Sequence, residues 1–272
     1  RLGSLRGLAV LFAGAVMAVS MVGLFAVTPP IAPSIWFALT LVCLFTAFSF
    51  LPLTFYAHGV AKAEMLRGGH TRLAAWRETG ALLGVCVAAV APTALSGIVS
   101  APFSVFAAVF SGATIVALAA MWPEWSTQEK ATPTPIKDIT TDPIARRLLI
   151  LALVNATPLA VSSTLFLFFV ESRLEAPGWE GVLLVLFCLS AAISSPMWAN
   201  LAGRVGEKLV LLSAMILAIL SFGLSLTLGA GDVWLFAAIC VVSGATIGAD
   251  LTLLPALFAR RMAAISPNAA QG

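Results

Sequence analysis

Leu209 to Phe258 reads LVLLSAMILAILSFGLSLTLGAGDVWLFAAICVVSGATIGADLTLLPALF, fifty residues in which Asp232 and Asp250 are the only charged side chains. A helix needs about 20 predominantly apolar residues to cross the hydrocarbon core of a bilayer. This stretch supplies two such runs, 209 to 229 and 233 to 258, with Ala230-Gly231-Asp232 as the turn between them. Backbone amides in lipid must be satisfied within their own segment, so each run is predicted to be a helix. The alternation of a membrane β-barrel is absent.

Working outward, the same pattern recurs at 5 to 27, 33 to 57, 73 to 94, 103 to 121, 146 to 170 and 179 to 202, making eight runs in the 272 residues. Composition agrees. The chain is 60% apolar and 10% charged, with a mean hydropathy of +1.03, whereas a soluble domain carries about 25% charge. The fold class expected is all-α: a polytopic membrane protein with eight transmembrane helices. A net charge of +3, spread over the whole length, excludes a nucleic-acid binder, which needs a basic stripe. Cys43, Cys86, Cys188 and Cys240 sit inside apolar runs without CxxC spacing and read as small buried hydrophobes.

Loops retained in the cytoplasm are enriched in Lys and Arg. Alternate connections here separate fourteen of the 15 cations, among them Lys62, Arg72, Lys130, Lys137, Arg204, Lys208, Arg260 and Arg261, from Arg173 on the other side. Both ends of the chain are therefore expected in the cytoplasm, with Glu171, Glu175, Glu180 and Asp232 opposite. The chain begins with Arg1 and enters an apolar run without a cleavage pattern, so it reads as a piece of something longer.

Pro123 to Ala145 is polar and rich in Thr and Pro, and is expected to be a cytoplasmic linker. It divides the chain into an N-terminal bundle over 1–122, the linker over 123–145 and a C-terminal bundle over 146–272, with four helices in each bundle. A weak repeat, Arg1-x-Gly3 against Arg204-x-Gly206 and Trp36 to Pro52 against Trp234 to Pro255, has an offset of about 200 residues, the length of six helices with their loops. Parallel six-helix repeats mark a large class of secondary transporters. On that reading the chain holds helices three to ten of twelve.

Ionisable and polar groups at membrane depth are the chemistry on offer. Arg77 and Glu78 lie inside the third run, where a charge is costly unless paired or hydrated. Being adjacent, they are expected on different sides of the helix. Arg77 either lines a cavity and grips an oxygen-rich solute or snorkels towards headgroups. Asp250, inside the last run, serves a solute or a structural pair. Asn155, in the fifth, either meets a cavity or bonds a neighbouring helix. Gly203-Arg204-Val205-Gly206-Glu207-Lys208 is a tight charged loop of the gating type, with Gly203 and Gly206 for the turn and Arg204 and Lys208 to latch neighbours. Gly80 to Gly84 and Gly244 to Gly248 have GxxxG spacing, as hinges or as close packing. His58 and His70, without HExxH or a catalytic partner, read as surface histidines.

Three stretches carry a resemblance. Leu151 to Gly206, LALVNATPLAVSSTLFLFFVESRLEAPGWEGVLLVLFCLSAAISSPMWANLAGRVG, resembles the seventh and eighth helices of the glycoside-pentoside-hexuronide cation symporters, the melibiose-permease-like branch of the major facilitator superfamily. His70 to Glu78, with Gly80 and Gly84, is similar to that family's entry to the fifth helix, and Gly248-Ala249-Asp250-Leu251 to Pro255-Ala256 to its tenth. The resemblance implies an incomplete major-facilitator fold of two helix bundles working by alternating access, in which sodium or a proton drives a sugar or related organic solute. The family's main cation carboxylates lie on the second helix, outside this chain, so the coupling ion's main site is expected elsewhere. The family's sugar-binding carboxylate precedes the fourth-helix proline by two residues. Here that proline matches Pro52 and the position is Phe50, while the fifth-helix arginine matches Arg77. The implied solute is accordingly broader and more amphipathic than a simple galactoside, with Arg77 at its polar end and Phe50 at its apolar end, while Asn155 and Asp250 are candidate contacts from their depth alone.

No cofactor or resident metal is expected, and no enzyme activity, because paired catalytic carboxylates, a nucleophile with its base and metal-ligand spacing are all missing from the runs. The partners expected are a small organic solute and the lipid bilayer, with no nucleic acid, for a monomer in the cell membrane, a bacterial inner membrane. The alternative is a drug or metabolite efflux carrier of another branch, or a carrier of a lipid-like solute.

Overall fold

The computed structural model describes residues 2–63, 69–125 and 142–265. Eight α-helices account for most of them: α1 (Leu2–Phe25), α2 (Pro33–Ala63), α3 (Gly69–Ser96), α4 (Pro102–Trp125), α5 (Pro143–Phe168), α6 (Glu180–Val205), α7 (Glu207–Leu224) and α8 (Val233–Ile265). The described residues contain no strand. Seven helices, all but α5, carry segments long and apolar enough to cross a membrane. The run expected at 146–170 falls on α5, 26 residues long, whose side chains at 158, 159 and 162 are not described. The chain is an all-α polytopic membrane protein, as its hydropathy required. Large apolar side chains point outward along the spans, Phe12 at 72%, Ile219 at 72% and Leu226 at 84% exposure, an arrangement that only lipid makes inexpensive.

Helix ends follow local chemistry. Asp142 caps α5, its carboxylate accepting from Ala145 N at 2.7 Å, and Pro143 at the first helical position has no amide hydrogen to waste. This is why α5 begins three residues before the expected start. At its other end a π-turn, Phe169–Arg173, follows. The linker expected over 123–145 is encroached on from both sides, by α4 to Trp125 and by α5 from Pro143. Its middle, 126–141 with Lys130 and Lys137, lies outside the described residues.

Backbone contacts group the chain into two compact units. One comprises Arg1–Lys62 and Val90–Ala131, the other Ala63–Ala89 and Thr132–Gly272. The grouping departs from a four-plus-four division in placing the first three-quarters of α3 with the second unit. In the first unit α1 packs on α4. Ser111 Oγ donates to Ala18 O at 3.2 Å and Ser104 Oγ to Phe25 O at 2.9 Å, the rings of Phe25 and Phe103 stack at 5.7 Å, and Ala107 is fully buried.

The second unit is organised around α6 and α8. A Cβ on Gly244 would meet Phe187 C and Cα at 3.0 and 3.1 Å, and one on Gly248 would meet Ala191 O at 2.6 Å and Ser195 Oγ at 3.1 Å. The backbones touch, which only glycine permits. Across the seam Ser194 Oγ donates to Ala245 O at 3.0 Å, Ser190 Oγ to Val241 O at 2.5 Å and Trp198 Nε1 to Ala245 O at 2.7 Å. Here the GxxxG spacing is packing. At Gly80 and Gly84, by contrast, an added Cβ meets nothing within 4 Å. Two apolar clusters fill the unit, one around Leu174, Leu183, Leu228 and Phe236, the other around Trp198, Leu211, Ala249 and Leu253. Cys86, Cys188 and Cys240 are buried and free, and Cys43 is half-buried.

Candidate functional site

On α8 the glycine pair faces α6, so Asp250, two residues past Gly248 and therefore about 200° around the helix, faces elsewhere. Its side chain interacts with that of Asn155 on α5. The two polar residues that hydropathy singled out independently are thus one pair. That pair leaves a remainder: Asp250 Oδ1 is buried without a hydrogen-bond partner among the described residues, as is Thr252 Oγ1 two residues on. A buried acceptor left unpaired costs about 1–3 kcal/mol, so an arriving N–H or O–H group would be favoured there.

Arg77 departs from expectation. Its guanidinium turns to the neighbouring Glu78, with Nε and Nη2 at 2.9 and 2.8 Å from Oε1, both side chains mostly buried. The separation expected from the i,i+1 angle fails because a long, flexible arginine reaches around the helix to the nearest counter-charge, and a paired charge at that depth costs far less than two separate ones. On α3, Thr79 Oγ1 donates to Ala192 O of α6 at 3.1 Å.

The loop Gly203 to Lys208 contracts to one residue. Val205 ends α6, Glu207 begins α7, and Gly206 alone turns the chain at φ +102°, a conformation that favours glycine. Gly203 sits inside α6 with open space around it, so it is not part of the turn. The latch runs through Glu207. It accepts a hydrogen bond from Thr71 Oγ1 at 2.7 Å and pairs with Arg260 near the end of α8, while Arg204 and Lys208 are exposed. Glu207 also lies at the positive end of the α7 dipole. Next to Arg260, Arg261 grips Asp142 with Nε at 3.1 Å and Nη2 at 2.5 Å. The Arg261 hydrogen bond, and secondly the Ala145 amide, hold the Asp142 carboxyl below its usual range. Adjacent arginines therefore tie the end of α8 to the starts of both α7 and α5.

Hydropathy did not single out Thr71, Asp142, Arg260 or Arg261 as a group, since their partners lie 53 to 136 residues away in sequence. The Asp-Pro cap was the one legible local signal. Phe50 belongs to the first unit, on α2, 37% exposed and one turn from Thr54, whose Oγ1 donates to Phe50 O at 2.7 Å. The other candidates belong to the second unit.

Long lipid-facing helices with polar groups paired at depth define a polytopic α-helical membrane protein. Over residues 1–265 the chain matches the family described as MFS/sugar transport protein, and it belongs to that family, within the major facilitator superfamily. It is a transporter family, not an enzyme family, and the chain is read accordingly. No curated protein and no solved structure matches the chain.

Proposed function

We propose that the chain belongs to a cation-coupled symporter of the melibiose-permease-like branch, moving an amphipathic organic solute, a sugar derivative or sugar acid, by alternating access. The observation that carries the solute reading is Asp250 Oδ1, a buried acceptor beside Asn155 without a donor among the described residues. A solute hydroxyl or amine supplies the missing hydrogen bond. Arg77 takes the anionic end of the solute once Glu78 releases it. The coupling ion, sodium or a proton, binds mainly outside these residues. The protein is a monomer in a bacterial inner membrane, with the ends of this chain and the Glu207–Arg260 latch on the cytoplasmic side, in keeping with the fourteen-to-one cation count.

Counterflow by the complete protein in proteoliposomes, with a panel of sugars, sugar acids and hydrophobic drugs, tests the reading. A polyhydroxylated acid should exchange. Asp250→Asn keeps an acceptor but loses the charge and should weaken that exchange at least tenfold, the cost of about one charge-assisted hydrogen bond. Exchange of hydrophobic drugs alone, or undiminished exchange in Asp250→Asn, defeats the proposal.

A further inference from the structure

The second unit contains a cavity of about 570 Å³ whose lining includes Thr71, Arg72 and Trp76 from α3, Asn200 from α6, Glu207 from α7 and Arg260 from α8. It stands apart from Asp250 and Asn155, neither of which lines it. We propose that it binds the headgroup of an anionic phospholipid, with the phosphate between the Arg72 and Arg260 guanidinium groups.

Charge points to an anion. Among the described residues, two guanidinium groups and one carboxylate, that of Glu207, line the cavity, and Glu207 pairs with Arg260 and accepts from Thr71. The Arg260 side chain remains 58% exposed while it does so, and a guanidinium has five N–H donors, more than one carboxylate uses. Asn200, exposed at the rim, can donate to a glycerol or phosphate oxygen.

Position points to a lipid in preference to a free anion. Arg72 is four residues into the span that starts at Gly69, and the opposing span ends at Val205, so the cavity lies at the headgroup level of both. Trp76 lies one turn beyond Arg72 on the same helix face and is 63% exposed. An exposed indole at that level is the residue type that settles between headgroups and acyl chains. Basic pockets between spans on the cytoplasmic side select anionic headgroups. Here the choice of leaflet rests on the orientation proposed above, while the binding itself does not.

The test uses the complete protein in nanodiscs of phosphatidylcholine with and without phosphatidylglycerol, followed by native mass spectrometry of the lipid retained. Phosphatidylglycerol should stay bound in preference to phosphatidylcholine. Arg72→Gln should lower its retention about fivefold, the ~1 kcal/mol that one cation contributes at a membrane surface, at 1.4 kcal/mol per decade. Arg72→Lys should keep most of it, Trp76→Ala should lose part, and Arg173→Gln, a cation on the other side, should behave as wild type. Equal retention in Arg72→Gln, in a protein that melts and elutes as wild type, overturns the proposal. So does equal loss in Arg72→Gln and Arg72→Lys, and so does complete displacement of the lipid by millimolar inorganic phosphate, which would make the cavity a free-anion site. Each of these readouts is independent of solute transport.

Discussion

Substituting the glycines of the two GxxxG segments one at a time separates packing from coincidence. At Gly248 the new Cβ would press on Ala191 O at 2.6 Å and Ser195 Oγ at 3.1 Å, and at Gly244 on Phe187 C and Cα at 3.0 and 3.1 Å. Three of these four atoms belong to the backbone of α6, so relief requires moving a helix. Overpacking of this kind costs about 1–3 kcal/mol, and shifting α8 also strains the bonds from Ser194 and Trp198 to Ala245 O. Alanine at Gly80 or Gly84 meets nothing within 4 Å, and relief of the glycine entropy penalty favours it by roughly 0.5–1 kcal/mol. At about 2–4 °C per kcal/mol, Gly248→Ala should melt roughly 2–12 °C below wild type and Gly84→Ala should equal or slightly exceed it. Melting of the purified protein, followed by intrinsic fluorescence, is the assay. If Gly248→Ala and Gly84→Ala melt together, the close approach of α6 and α8 is wrong and GxxxG spacing alone carries no information in this chain.

Replacing Glu207 by Ala removes the acceptor shared by Thr71 and Arg260. Because Arg260 is more than half exposed, the loss should be only about 1–2 kcal/mol, read as a lower melting temperature with a raised rate of labelling of a cysteine placed beside the latch. The Asp142 carboxyl is held low by Arg261, so its stabilising contribution is present above the unfolded value near 3.9 and disappears as pH falls through the lower folded value. The melting difference between wild type and Asp142→Asn should accordingly be constant above about pH 4 and close to nothing at lower pH; a difference that persists in acid counts against the ion pair. Arg77→Ala strands the buried Glu78 at a cost on the order of 3 kcal/mol, and Arg77→Ala with Glu78→Gln should recover most of it. Failure of the double variant to recover would show that Arg77 is needed for something other than its neighbour.

Hydropathy was sufficient for the helices because burial in lipid is a sum over about 20 consecutive residues, and a local sum is what a sequence displays. Charge counting was likewise local, loop by loop, and so were the Asp142-Pro143 cap and the Gly206 turn. Asp250 and Asn155 were each legible as polar groups at depth, since that is a property of one residue and its apolar neighbours. Their union was not, because it depends on how far α5 and α8 are rotated about their axes. The same holds for Gly244 and Gly248 beside Gly80 and Gly84: the spacing is identical, and only the presence of a second backbone within contact distance makes one pair structural. The arginine of the Arg77–Glu78 pair bends against its helical angle to reach a counter-charge, a choice made by the burial around it. Thr71, Glu207 and Arg260 converge from three helices, and Asp142 and Arg261 from two, because helix crossing carries their ends together. Thus the sequence by itself determined that the chain lies in a membrane, where its helices run and which residues are costly there. The tertiary structure alone decided which of those residues relieve one another, since pairing energy depends on distances between helices that no local pattern encodes.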